Sequence, residues 1–531
     1  MGAFEDSRAE AATCKVIDSK RPTQAGRIQY LRRLATLSGL SKPDRDISIY
    51  VQTYLERDVP SLRQTWDAAS ACGPDRPSLL GNLRENLFGL GALTGVRYHL
   101  AQVAALAALC GPFLAAQPTD TSQLKQVIIF GRHAARTPIT ATSAENIFSA
   151  LPFPTFSVSG QAVITPNGQT NETLLGGYFR LWLTQEKLLT GKDASDANFV
   201  YVRANNAPLI VDTAQAFAAG LLPAASVTVN TTPTADPLFD PIDANVALLN
   251  TTMAIAAVNG RLGGNPQSLA TAYSAELALT RSVLFNYPAG TSPAPATPAG
   301  KADVTAIPIT MTAGNSTMPV NPGGLLYLYT AIDPFMMEYV DGMAASDVGW
   351  GQLNAAGISQ IFRVYDELIN LEFRTPYLAK VQSSNVASHI VRSMVQAATG
   401  DAMTGTVGAP SDKIIVLVAS NTNVAGLAGL FNLDWLVNGY QPDVPALGGA
   451  LVFELRQSQR TGEFIVRASY VAQTMDQLRN RALLTLAAPP ANVPVFIPGC
   501  SIQNATFDCP LGVFVRLAGQ QINSVYVDSS N

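Results

Sequence analysis

Apolar residues run along this chain in two rhythms. Residues 126–131 read QVIIFG, a run that follows Lys125 and closes on a glycine, as in a strand buried on both faces of a parallel sheet. The signal returns at residues 413–419, KIIVLVA, and again at 450–455, while 463–470 alternates between two faces. Between the first two strands lies the turn Ile164-Thr165-Pro166-Asn167-Gly168, followed by amphipathic helical spacing over residues 171–186. A strand at 199–202 then leads into a helix at 212–219. Strand, loop and helix alternate, which predicts an α/β layered domain.

The rhythm changes over residues 230–350, where helical stretches are broken by Gly and Pro, including the solvent loop Ser292-Pro293-Ala294-Pro295-Ala296-Thr297-Pro298. This predicts an inserted, mainly α-helical cap domain, with the α/β core built from residues 122–229 and 351–531.

The N-terminal part follows neither pattern. Residues 1–95 mix short helical patterns with charged turns such as Ser41-Lys42-Pro43-Asp44-Arg45-Asp46. Residues 96–116 carry one Arg, then an apolar run, then small residues, the grammar of an export signal. The apolar run at 103–114 is shorter than the roughly 20 residues of a spanning helix, and Ala115 and Ala116 suit a cleavage site. Val96 is thus expected as an initiation site, with residues 1–95 an upstream extension of doubtful authenticity. The other reading makes residues 100–114 a buried helix of a true N-terminal domain. The signal predicts a periplasmic or secreted protein with no stable membrane insertion after its removal.

Length and composition bound the chemistry. The chain has 531 residues, 47% hydrophobic, enough for large packed cores. A net charge of −4 with only 14% charged residues leaves no basic footprint, so nucleic acid is excluded as an expected partner. The five cysteines show no CxxC spacing and the three histidines lie far apart, so a zinc cluster is not expected. Cys500 and Cys509 close a short loop that reads as a local disulfide, with two buried free thiols as the alternative.

The candidate chemistry sits directly after the first strand, in Arg132-His133-Ala134-Ala135-Arg136-Thr137-Pro138. Phosphoryl transfer through a covalent intermediate needs a nucleophile in line with phosphorus and cationic donors around its oxygens. A histidine bracketed by two arginines at a strand exit supplies both, and guanidinium forks match phosphate bidentately. Taken alone, the same turn is equally a solvated loop.

More of the chain carries a pattern: Thr165-Pro166-Asn167-Gly168, Ala204-Asn205-Asn206, Thr213-Ala214-Gln215-Ala216-Phe217 with Gly220, and Asp236-Pro237-Leu238-Phe239-Asp240-Pro241. The C-terminal half adds Trp350-Gly351, Val416-Leu417-Val418 before Ser420-Asn421-Thr422-Asn423, Gln477-Leu478-Arg479-Asn480, and Pro498-Gly499-Cys500 with Cys509-Pro510-Leu511. With these segments the chain after residue 122 resembles branch 2 of the histidine phosphatase superfamily, the histidine acid phosphatases of glucose-1-phosphatase and phytase type. The resemblance implies a three-layer sandwich core with a helical cap, and a phosphomonoesterase that uses no cofactor and no metal. It makes His133 the nucleophile that becomes phosphohistidine, Arg132 and Arg136 the phosphate-binding residues, and a small phosphorylated or anionic substrate the partner.

Against that pattern the sequence departs at three positions. Where the family places a His-Asp pair, this chain has Ser420 and Asn421, although Asn423 is retained; a third family arginine falls on Leu209. An amide cannot donate a proton as a carboxylic acid does, which costs about 10²- to 10⁴-fold. Two readings follow. One is an enzyme still working through His133 on esters whose leaving group needs little protonation, or diverged to new chemistry, with Asp341 a candidate pocket acid and Asn423 and Thr137 as further pocket residues. The other is an impaired pseudophosphatase that binds an anionic ligand. For Asp341 and the neighbouring Glu338, solvated helix charges are the plainer expectation. His389, in an amphipathic helix, is expected to be a satisfied structural histidine, and His99 belongs to the export segment.

Overall fold

The computed structural model describes residues 121–528. The extension at 1–95 and the signal-like segment at 96–116 lie outside the described residues.

In chain order the principal elements are β1 (Ser122–Arg132), α1 (Pro166–Gln185), β2 (Val200–Ala204), α2 (Pro208–Leu221), β3 (Val229–Asn230), α3 (Thr251–Arg261) and α4 (Ser274–Leu284). Then come β4 (Ile309–Ala313), β5 (Val320–Gly323), α5 (Gly324–Val340), α6 (Ala355–Phe373), α7 (Pro376–Thr399), β6 (Ile414–Ala419) and α8 (Asn421–Phe431). The last are β7 (Ala450–Ser458), β8 (Phe464–Ala472), α9 (Met475–Asn480), β9 (Ala491–Val495), β10 (Cys509–Pro510) and α10 (Leu511–Gln521).

The main sheet has the order β10-β8-β7-β1-β6-β2-β3, with β9 also on β8. β1, β6, β2 and β3 run parallel, and β7 and β8 continue the sheet antiparallel on the other side of β1. The predicted strands therefore fall at the centre, where both faces are covered. Alternate residues of β1 feed two cores. Val127 and Ile129 pack with α1 and α2 residues such as Phe179 and Phe217, whereas Ile128 and Phe130 pack with α7, α8 and α10 through Ile390, Leu427 and Phe514. This is the three-layer sandwich that the sequence predicts.

α1 begins at Pro166, five residues before the apolar periodicity starts, because Thr165 caps it by accepting from the Gly168 N–H at 3.1 Å. Gly168 itself allows the helix start to touch the motif turn: a Cβ there would lie 2.1 Å from the Ala135 carbonyl oxygen.

A third apolar cluster joins α3, α4, α5 and α6 and takes in Leu378 of α7. Residues 230–350 hold α3, α4 and α5, and also the antiparallel β4–β5 hairpin. The loop around residues 292–298 has no regular structure. Cys500 and Cys509 form a disulfide that fastens the segment before β10.

Candidate active site

β1 and β6 are in parallel register with Arg132 opposite Ala419, so both chains leave the sheet at one edge. Beyond it the His133 N–H donates to the Ala419 carbonyl at 2.9 Å, and the Asn205 N–H after β2 donates to Val418 at 3.1 Å. Three turns are thus gathered at the carboxyl ends of adjacent parallel strands, the usual ligand edge of an open α/β sheet.

His133 is 7% exposed. Its Nδ1 lies 2.9 Å from the Ala134 carbonyl oxygen; that acceptor selects the tautomer with Nδ1–H and leaves the Nε2 lone pair unprotonated. Burial, then the charges of Arg132 and Arg136, hold its pKa well below the ordinary histidine value, so the ring stays neutral.

The two arginines differ. Arg132 is partly buried, donates through one terminal nitrogen to the Pro445 carbonyl at 2.6 Å, and has a buried Nε with no partner. Arg136 is buried and fully engaged: its terminal nitrogens donate to the two oxygens of Asp333 at 2.8 and 2.9 Å, to the Tyr329 hydroxyl at 3.2 Å and to the Thr137 carbonyl at 3.1 Å. Burial alone lowers its pKa, but Asp333 overrides this and raises it. The predicted phosphate fork is already closed on a carboxylate.

The remaining predicted positions are distributed around this centre. Leu209 is buried in the first turn of α2; its carbonyl accepts from Thr213 Oγ1 at 2.7 Å, and that hydroxyl accepts from the Ala134 N–H at 3.1 Å. Ser420 and Asn423 close on each other at the start of α8, where Asn423 Oδ1 accepts from the Ser420 N–H at 3.1 Å and its hydroxyl at 2.7 Å. Asn423 Nδ2 donates to Phe239 O at 2.7 Å. Both side chains therefore serve as a helix cap. Asn421 is buried and donates to the Tyr365 hydroxyl at 2.9 Å. Thr137 pairs with Val163 in both directions, through its main chain and hydroxyl. Asp341 caps the end of α5, where its carbonyl accepts from Asn167 Nδ2 and burial raises its carboxyl pKa. Glu338 is fully buried and accepts from the Gly349 N–H at 2.9 Å, not a solvated charge. His389 is fully buried in α7, with Nε2 2.9 Å from Asp528.

A pocket opens beside Arg132. α5 contributes Tyr329, Asp333 and Met337, and α6 contributes Phe362, Tyr365 and Asp366. Leu447 and Leu478 close the wall and, with Met337, pack against Ala135 of the motif turn. His133, Arg136 and Asp341 are not among the lining residues. Asp366 is the notable one: it is partly buried and has no hydrogen-bond partner among the described residues. Burial pushes its pKa up to about 8 against the opposing pull of Arg132. The tyrosines tie the arrangement together. Tyr329 and Tyr365 stack with ring centres 3.9 Å apart, linking Arg136 to Asn421 through the aromatic pair.

Sequence reasoning does not find Asp333 or Tyr329, which lie in an apolar stretch of α5 that reads as core, nor Tyr365 and Asp366, which lie on the amphipathic helix α6 among other charged residues such as Arg363 and Glu367. Among the described residues no group of three or more His, Cys, Asp or Glu is placed to hold a metal ion.

The model of the histidine phosphatase superfamily, branch 2, matches residues 123–276. The chain is 27% identical to a glucose-1-phosphatase of Providencia rettgeri over 419 residues, which span 77% of this chain and 95% of that protein. It is also 27% identical to the phytase AppA of Escherichia coli strain K12 over 414 residues, 76% of this chain and 93% of that one. Among solved structures, Hafnia alvei phytase in complex with tartrate matches with a TM-score of 0.67 at 28% identity, over 76% of this chain and 98% of its own. With an Arg-His turn at the edge of a parallel sheet and likeness over nearly the full length of these proteins, the chain is similar to branch 2 of the histidine phosphatase superfamily, the histidine acid phosphatases.

Proposed function

We propose that this chain hydrolyses small phosphate monoesters through a phosphohistidine on His133. The observation that carries the reading is the His133 ring: Nδ1 faces a carbonyl oxygen, the site keeps the ring neutral, and Nε2 is left with a lone pair. Nε2 forms a bond to phosphorus as the ester oxygen departs with the bonding electrons. Water then attacks the phosphohistidine, loses a proton and releases inorganic phosphate, returning the lone pair to Nε2. Arg132, with its Nε unpartnered, is the donor available to the equatorial oxygens. The relatives suggest sugar-phosphate-type esters, and the signal-like segment supports a periplasmic or extracellular site. No metal or cofactor enters this scheme.

Asn421 has no proton to give a departing alkoxide, so turnover of alkyl esters is expected to be slow. Rapid mixing with an aryl phosphate, followed by alkaline quench, is expected to trap phosphohistidine in the native protein and none in His133→Ala. Absence of any phosphoenzyme would falsify the scheme.

A second reading, an anion-binding protein without turnover, is favoured by one observation: Asp333 occupies the Arg136 fork. It requires calorimetric binding of phosphate or sulfate with no product formed.

A further inference from the structure

The wall of the pocket beside Arg132 is aromatic and apolar. Tyr329 and Tyr365 present a stacked pair, Phe362 meets Tyr365 edge to face at 6.0 Å, and Leu447 and Leu478 complete the surface against the motif turn. Arg132 is the one cation among the lining residues; of the two carboxyl groups there, Asp333 is paired with Arg136, and Asp366 has no hydrogen-bond partner among the described residues. We infer that this pocket receives the uncharged aromatic half of a phosphate monoester, with Arg132 holding its single phosphoryl group, and that it rejects polyanionic esters.

This inference rests on the proposed hydrolysis at His133 for its chemical use, but its physical basis is separate. One phosphoryl group satisfies Arg132. A second on the same molecule would be desolvated against rings, aliphatic side chains and carboxyl oxygens, with no cation to pair it. An aromatic ring suffers no such penalty. It gains burial and ring contacts of the kind that the wall already makes with itself. The leaving group agrees with the wall: a phenol is acidic enough to depart without a proton donor, and the position where a carboxylic acid is expected holds Asn421, bonded to Tyr365 of this wall.

Two measurements on the full chain test the inference and separate it from the hydrolytic scheme. The first is calorimetry at pH 6 with phenylphosphonate, 2-naphthylphosphonate, glucose 1-phosphate and inositol hexakisphosphate; the phosphonates cannot be hydrolysed. The naphthyl compound is expected to bind roughly tenfold tighter than the phenyl compound from the added apolar area. Inositol hexakisphosphate is expected to bind more weakly than either, and Asp366→Lys to strengthen its binding by a larger factor than that of phenylphosphonate. The second is turnover of phenyl and 2-naphthyl phosphate, whose phenols have similar acidity, with the same ring preference expected in kcat/KM. Ring preference in binding without turnover or phosphoenzyme overturns the hydrolytic scheme and keeps the pocket assignment. Equal affinity for the two rings, tighter binding of either polyol phosphate, or no binding at all overturns the assignment, whatever the turnover.

Discussion

Asp333 of α5 accepts from both terminal nitrogens of Arg136, at 2.8 and 2.9 Å, with each side chain 2% exposed. The same carboxylate accepts from the Ile139 N–H at 3.0 Å, so it fixes the motif turn as well as the guanidinium. A carboxylate and a phosphoryl group compete for this fork, and the protein supplies the first covalently. Removing the carboxylate leaves a buried cation unpaired, which costs about 3–5 kcal/mol. Asp333→Ala is therefore expected to lower the melting temperature, and inorganic phosphate to restore more stability in this variant than in the native protein. Thermal melts with and without phosphate check it; equal phosphate effects in the two proteins mean that the freed guanidinium does not reach the anion site.

Asn421→Asp combined with Ser420→His and Leu209→Arg is expected to raise turnover of alkyl phosphates by about 10²-fold or more, while aryl phosphates gain less. The Asn421 amide now donates to Tyr365 at 2.9 Å; a protonated carboxyl there keeps that partner and gains a transferable proton. Steady-state rates on an alkyl and an aryl ester measure the difference. A folded triple variant with an unchanged alkyl-to-aryl ratio removes residue 421 from the leaving-group side.

Stability should fall as pH rises from about 6.5 to 8. Burial pushes Asp366, Glu338 and Glu372 each up to about 8, the latter two despite accepting from the Gly349 and Val320 N–H groups. The unfolded chain releases these protons near pH 4, so above that value the folded state binds more protons than the unfolded state, and raising the pH favours unfolding until about 8. His133 and His389, both lowered by burial, act in the opposite direction, but only below about pH 6.5. Melting temperatures across this interval give the slope, and Glu338→Gln should flatten it. A flat profile in the native protein contradicts the assignment.

Reduction of Cys500–Cys509, or Cys500→Ser with Cys509→Ser, is expected to cost about 2–3 kcal/mol, as for closing a loop of nine residues' separation. Urea titrations of the oxidised and reduced protein measure this directly. The aryl-phosphate rate should change little, because the loop is fastened to β8 at Cys509–Val466, in a part of the sheet remote from the β1 exit.

The parts legible in the sequence are those where one physical demand dominates. The runs at 126–131 and 413–419 must be apolar on both faces to lie at the sheet centre, so β1 and β6 are visible as uninterrupted strings. The motif turn stands out because Arg, His and Arg seldom cluster after such a run. Where two demands meet, the signal fails. Asp333 sits in the mainly apolar α5 and Asp366 among the charged residues of the amphipathic α6, and only the folded arrangement reveals that one answers Arg136 and the other lines a pocket. The start of α1 was hidden for a similar reason: its first turn is chosen for contact with Ala135 rather than for periodicity. Ser420 and Asn423 read as remnants of a catalytic motif, yet they make the hydrogen bonds of an ordinary helix cap.

The bond from the His133 N–H to the Ala419 carbonyl involves main chain alone. Neither partner is a side-chain atom, so this tie between the two strand exits does not itself require particular side chains at 132, 136, 420 or 421, whereas the Arg136–Asp333 pair and the Ser420–Asn423 cap do. The spacing between the β1 and β6 exits is thus written into the backbone, and the side chains around it decide what chemistry that spacing serves.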